Sequence, residues 1–180
     1  SRFKPSLTVK ISQIAREMSA NGENVISLSS GEPDFDTPNS IKDSAIEAIN
    51  DGFTKYTQVD GIPSLKEAIK NKFKIENNID YSLDQISVGV GGKHVIYNLF
   101  MSTLNKGDQV IIPSPYWVSY PDMVNLAEGT PVIVETNMKD NFKITEKQLD
   151  DNINEKTKWF IINSPCNPTG AVYSKEELEK

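Results

Sequence analysis

Three short stretches hold residues whose types and spacing could do chemistry. VGVGGKHVIYNLF, Val88 to Phe100, places Gly91 and Gly92 between an apolar run and a helical pattern. In that arrangement backbone N–H groups and the helix dipole bind a phosphate, because glycine lets the backbone approach closely. The same residues also serve an ordinary tight strand-to-helix turn with no ligand. They lack the third glycine of a dinucleotide fingerprint and the GK[ST] of a P-loop, which disfavours NAD and ATP. PSPYWVSYP, Pro113 to Pro121, sets Trp117 among prolines, where an indole could lie flat on a planar ring or simply cap the core at a helix start. In NSPCNPTG, Asn163 to Gly170, the Asn167 amide could donate to a phenolate or carboxylate oxygen while Pro165 and Pro168 remove backbone freedom; an ordinary rigid loop is the alternative.

Each of the three follows an expected strand, and open α/β sheets bind ligands beyond the carboxyl ends of their strands. Together they offer a phosphate cup, a stacking ring and an oxygen-directed amide. That set describes a phosphorylated aromatic cofactor, and pyridoxal 5′-phosphate (PLP) fits it.

The elements that must position these groups are legible as alternating patterns. Leu7, Ile11, Ile14, Ala15 and Met18 recur at helical spacing after Pro5, with Gly22 as terminator. A second helix follows Thr37 and Pro38, with Ile41, Ala45, Ile46 and Ile49 on one face and Gly52 past its end. A third starts at Pro63, and GFTKYTQVDGIP before it reads as an exposed loop. From Gln85 onward strands and helices alternate: QISVGV, a helix carrying Val95, Ile96, Leu99 and Phe100, QVIIPS, a helix from about Trp117, PVIVE, a helix around Glu146 to Leu149, KWFIIN, and a helix opening at Ser174. Alternation with strands apolar on both faces predicts an α/β fold with a mainly parallel sheet flanked by helices.

Composition narrows the chemistry. A formal net charge of -6 over 180 residues supplies none of the Lys/Arg surplus that nucleic acid binding requires. One cysteine, Cys166, and one histidine, His94, exclude an intrachain disulfide and a Cys/His zinc site, so no metal is expected. Neither residue is assigned a chemical role. No apolar stretch approaches the ~20 residues of a membrane span, and a soluble, cytoplasmic setting is expected.

SLSSGEPDFDTP, KYTQVDGIPSLKEAI, VGVGGKHVIYNLF, PSPYWVSYPDMV and NSPCNPTGAVY, spread over almost the whole chain, resemble the class I, fold-type I aminotransferases, and within them the bacterial Ib aspartate aminotransferases. The resemblance implies that Gly91, Gly92 and Lys93 form the PLP phosphate cup and that Trp117 stacks on the pyridine ring. It implies that Asn167 contacts the ring's phenolic oxygen and the substrate α-carboxylate, and that Gly31 touches substrate by its main chain. Tyr56 would reach the cofactor phosphate of a neighbouring subunit, making a homodimer part of the site. Lys93 would meet the distal carboxylate of aspartate or glutamate, with Thr8 helping from the arm. The bonds before Pro115 and Pro168 would be cis.

The lysine that forms the Schiff base, the aspartate on the ring nitrogen, the tyrosine on the phenolic oxygen and the carboxylate-binding arginine are expected beyond Lys180. Lys175 follows a serine, but Ser174 and Glu177 form a capping box that makes it a helix-start residue. Arg2 and Arg16, the only arginines, match none of these roles. The chain stops about two turns into its last helix, which reads as truncation. The expected organisation is residues 1–38 as N-terminal arm and small-domain portion, and 39–180 as the first part of a PLP-binding large domain. The function so implied is transamination of an acidic amino acid with 2-oxo-acid partners, the chain alone being inactive. Prephenate, aromatic or alanine transamination, or a non-catalytic fragment, are the alternatives.

Overall fold

The computed structural model describes residues 7–29 and 31–180. Arg2, Pro5 and the side chain of Leu7, all used in reading the arm, lie outside the described residues. The chain divides into two compact units, one ending at Gly89 and the other beginning at Val90.

The first unit holds α1 (Leu7–Ala20), α2 (Asn39–Asn50) and α3 (Pro63–Asn77), then a 3₁₀ turn at Leu83–Gln85. The terminators act as expected: Gly22 and Gly52 take φ of 86° and 83° just past α1 and α2. Pro63 opens α3, where its missing N–H has no helical acceptor to lose. The apolar stripes of α1 and α2 exist, yet Ile11, Ile14, Ile41, Ile46 and Ile49 are exposed.

The loop before α3 is open along its length and tied at its end. Val88 N–H donates to the Asp60 carbonyl at 2.9 Å. Gly61 takes φ 112°, and a Cβ there would fall 2.6 Å from Val88 Cγ2, so only glycine fits. Lys66 is buried and donates from Nζ to the Asp60 carboxylate. That hydrogen bond holds the Asp60 carboxyl below its ordinary value. The folded state therefore favours the ionised carboxylate, and the stability it lends is present above roughly pH 4 and lost as pH falls further. Asp60→Asn is expected to lower the melting temperature of the full-length protein at neutral pH and to flatten its decline in acid. Melting curves that stay parallel for wild type and variant from neutral to acid pH would contradict this.

The second unit alternates as α4 (Gly92–Thr103), β1 (Gln109–Ser114), α5 (Ser119–Leu126), β2 (Thr130–Glu135), α6 (Glu146–Asn152), β3 (Thr157–Phe160) and α7 (Lys175–Glu179). Among the described residues the strands form one parallel sheet in the order β2-β1-β3. Central β1 buries Val110, Ile111 and Ile112 completely, as a strand covered on both faces must. Val110 and Ile112 pack with Phe100 and Leu104 of α4 and its C-cap and with Tyr120, Met123 and Val124 of α5. Trp159 of β3 donates its indole N–H to Thr103 Oγ1 at 2.9 Å, fixing the end of α4 to the sheet. Local signals start the later helices: Thr145 with Gln148, and Ser174 with Glu177, form complete capping boxes.

Three expectations need correction. QISVGV forms no strand: residues 86–89 follow the 3₁₀ turn without a ladder, and Val88 N–H goes to Asp60 instead. A strand requires a second strand to complete its hydrogen bonds, and among the described residues none does so here. β3 ends at Phe160 rather than running to Asn163, although Ile161 N–H still donates to Ile111 at 3.0 Å. The helix expected from about Trp117 opens at Ser119.

Candidate functional site

The second unit carries Gly91, Gly92, Lys93, Trp117 and Asn167. At the start of α4, Gly91 is the N-cap with φ 93° and ψ 162°, a conformation open to glycine almost alone. A glycine offers no side chain to cap the helix, and the N–H groups of Gly92, Lys93 and His94 have no acceptor among the described residues. A Cβ built at Gly91 or Gly92 meets nothing within 4 Å, so the turn is uncrowded at both glycines. Lys93 Nζ lies 5.0 Å from the Trp117 ring centroid, which brings the first turn of α4 beside the loop after β1.

That loop is held from several sides. The Ser114–Pro115 bond is cis. Thr136 N–H and Oγ1 both donate to the Ser114 carbonyl, and Cys166 Sγ lies 3.6 Å from the Pro115 carbonyl oxygen. Trp117 stands edge-on to Tyr120, with centroids 5.3 Å apart and planes at 86°. Burial, with a smaller contribution from Cys166, pushes the Tyr120 phenol above its ordinary value, so this supporting ring stays neutral. The indole is half-buried, its orientation set by protein contacts before any ligand arrives.

The loop after β3 closes on itself. Cys166 N–H donates to Ala171 at 2.9 Å, Gly170 N–H donates to Cys166 at 2.8 Å, and Asn167 N–H donates to Asn163 Oδ1 at 2.8 Å. Tyr173 anchors the far side, accepting Ile144 N–H at its hydroxyl at 2.9 Å. Asn167–Pro168 is cis, as is Ser164–Pro165, which the sequence did not single out. The main chain of Asn167 is thus pinned while its carboxamide is exposed and makes no hydrogen bond among the described residues. Asn163 and Asn167 share a cavity wall with Pro115, Tyr116 and Cys166, beyond the carboxyl ends of β1 and β3.

Thr8, Gly31 and Tyr56 belong to the first unit, where Thr8 sits half-buried on the first turn of α1 and Gly31 and Tyr56 are exposed. Lys175 is on the first turn of α7, 3.5 Å from Glu179, the solvated helix start its capping box predicts. Sequence reasoning left His94 without a role and did not single out Asn163. Asn163 stands four residues before Asn167 in NSPCNPTG, and that spacing within a proline loop is the signal that could have found it.

The residues fit the group their types suggested. Open N–H donors at a helix N-terminus suit a phosphate, an oriented indole suits a planar ring, and a free carboxamide suits an anionic oxygen.

The profile of the family described as aminotransferase class I and II matches residues 23–180. The chain belongs to this family. It is 62% identical over 177 residues to the probable aspartate/prephenate aminotransferase of Rickettsia typhi, covering 98% of this chain and 44% of that protein. It is 58% identical over 177 residues to the aspartate/prephenate aminotransferase of Cereibacter sphaeroides, with the same two shares, 98% and 44%. Among solved structures, the aspartate aminotransferase from Thermus thermophilus with maleate superposes with a TM-score of 0.95 at 46% identity, covering 98% of this chain and 46% of that one. The chain therefore spans less than half the length of these aminotransferases. Its parallel sheet flanked by helices is part of the fold-type I architecture of PLP-dependent transferases. Among the described residues no helix is long and apolar enough to cross a membrane.

Proposed function

We propose that the full-length protein is a PLP-dependent transaminase of an acidic amino acid, passing the amino group of aspartate to 2-oxoglutarate in the cytoplasm. In this reading residues 1–38 form the arm and a small-domain portion, 39–180 form the first part of the large domain, and the reactive lysine lies outside this chain, which alone does not turn over. The observation that carries it is the open N-terminus of α4 joined to an oriented Trp117 through Lys93.

PLP, when bound, supplies the electron sink for charge at the substrate Cα. Gly91, Gly92 and Lys93 hold its phosphate through main-chain N–H groups, and Trp117 packs against its ring. Asn167 directs its carboxamide at the phenolic oxygen and the substrate α-carboxylate, and Gly31 meets the substrate by its main chain. Tyr56 completes the phosphate site of a second subunit in a homodimer. Lys93, with Thr8, binds the distal carboxylate as a point charge that can leave the indole face. The maleate of the Thermus thermophilus structure, a four-carbon dicarboxylate, supports the acidic class.

Lys93→Ala in the full-length protein is expected to reduce kcat/KM for aspartate roughly 10- to 100-fold, the scale of one hydrogen bond to a charged group. Activity with an aromatic amino acid should change less than about threefold, because no distal carboxylate is there to lose its partner. Equal losses on both substrates would remove Lys93 from this role. The names of the relatives support prephenate as a second amino acceptor, and assay with prephenate in place of 2-oxoglutarate separates the two.

A further inference from the structure

His94 is the third residue of α4, and its side chain turns back on the chain before the helix. Nδ1 accepts the N–H of Val90 at 3.1 Å, and Nε2 lies 3.1 Å from Asn98 Nδ2 one turn on. An imidazole nitrogen that accepts an N–H does so through its lone pair, so Nδ1 faces the Val90 N–H as an acceptor. The Val90 contact holds the ring back against the chain before the helix.

The contact closes a loop from Val90 to His94 around Gly91 and Gly92. These are the residues with the most backbone freedom in the turn, and fixing each residue's backbone costs about 1–2 kcal/mol. Elsewhere in this chain the same helical position does a related job: Gln85, Gln148 and Glu177 each accept an N-cap N–H while a Ser or Thr caps the first turn. At α4 the N-cap is Gly91, so that capping side chain is missing and the first-turn donors stay free. His94 keeps the acceptor half of the device, shifted back by one residue. Its type matters as well. A carboxylate here would set a negative charge against any anion at the N–H groups of Gly92 and Lys93, whereas an imidazole nitrogen accepts without bringing a negative charge.

We propose that His94 is a positioning residue for phosphate binding at this turn, pre-ordering Gly91 and Gly92 through the Val90 N–H while adding no negative charge. The inference rests on the functional reading above and adds to it a residue which that reading leaves idle. Pre-ordering raises affinity by removing a cost otherwise met on binding.

The test is the affinity of the full-length apoprotein for PLP and for pyridoxal, which lacks the phosphate, in three variants. His94→Leu removes the acceptor and should weaken PLP binding roughly 5- to 10-fold. His94→Gln restores a neutral acceptor and should stay within about threefold of wild type. His94→Glu keeps the acceptor but adds charge, and should bind PLP at least as weakly as His94→Leu. Pyridoxal affinity should change less than about twofold in all three, which a general loss of structure would not allow. Unchanged PLP affinity in His94→Leu, equal losses for PLP and pyridoxal, or failure of His94→Gln to rescue would each overturn the inference and leave the functional reading standing. A wild-type apoprotein that binds no PLP would defeat both.

Discussion

Replacing Phe100 by alanine is expected to destabilise the Val90–Lys180 unit by about 3–5 kcal/mol, the range for deleting a well-buried aromatic side chain. Phe100 is 2% exposed and lies in one cluster with Leu104, Val110, Ile112, Tyr120, Met123 and Val124. A hole there would be enclosed by β1 and α5, which the pairing of β1 with β2 and β3 keeps from collapsing inward. The cost bears on function because α4, which Phe100 anchors, also presents Gly92, Lys93 and His94. Leu99, its neighbour in sequence, is 38% exposed, and Leu99→Ala should cost less than about 1 kcal/mol. Urea unfolding of the full-length protein decides: the midpoint should fall sharply for Phe100→Ala and little for Leu99→Ala, with unchanged slopes. Similar midpoints for the two variants would mean that α4 is not seated as described.

Gly91→Ala is expected to cost about 1–3 kcal/mol, all of it conformational. At φ 93° a side chain is strained, yet the added Cβ meets no atom within 4 Å, so no clash contributes. Gly92 has equal space and no positive φ, so Gly92→Ala should stay within about 0.5 kcal/mol of wild type. The strain has two outlets: the turn keeps its shape and stability falls, or it relaxes and the N–H groups of α4 lose their aim. Unfolding midpoint and PLP affinity measured on the same apoprotein separate them, the second outlet appearing as roughly 5- to 100-fold weaker binding. If Gly91→Ala and Gly92→Ala match in both measurements, the left-handed turn is not a requirement of the site.

Much of this molecule was legible because the signals are local. The starts of α3, α6 and α7 and the ends of α1 and α2 depend on residues within about four positions of one another, such as Ser174 with Glu177 or Gly52 after Asn50. The parallel sheet followed from the double-sided apolar run Val110–Ile112 and from its alternation with helices. Gly91, Trp117 and Asn167 were readable as candidates because glycine, indole and carboxamide are each suited to one kind of contact, although the run before Gly91 is not a strand.

What the chain's own letters determine, then, is where helices with local caps begin and end, that β1 is buried on both sides, and which side chains are chemically equipped. The tertiary structure alone decided relations between distant residues and the backbone angles that aim side chains. QISVGV has a strand's letters but no ladder, because among the described residues no second strand pairs with it, and Val88 N–H goes to Asp60 instead. The stripes of α1 and α2 are amphipathic yet exposed, because periodicity says which face is apolar and not what meets it. Lys93 over Trp117 joins groups that lie on α4 and beyond β1. His94 meets a residue only four positions back, but that contact exists because Gly91 turns the chain at φ 93°, an angle glycine permits and composition does not reveal.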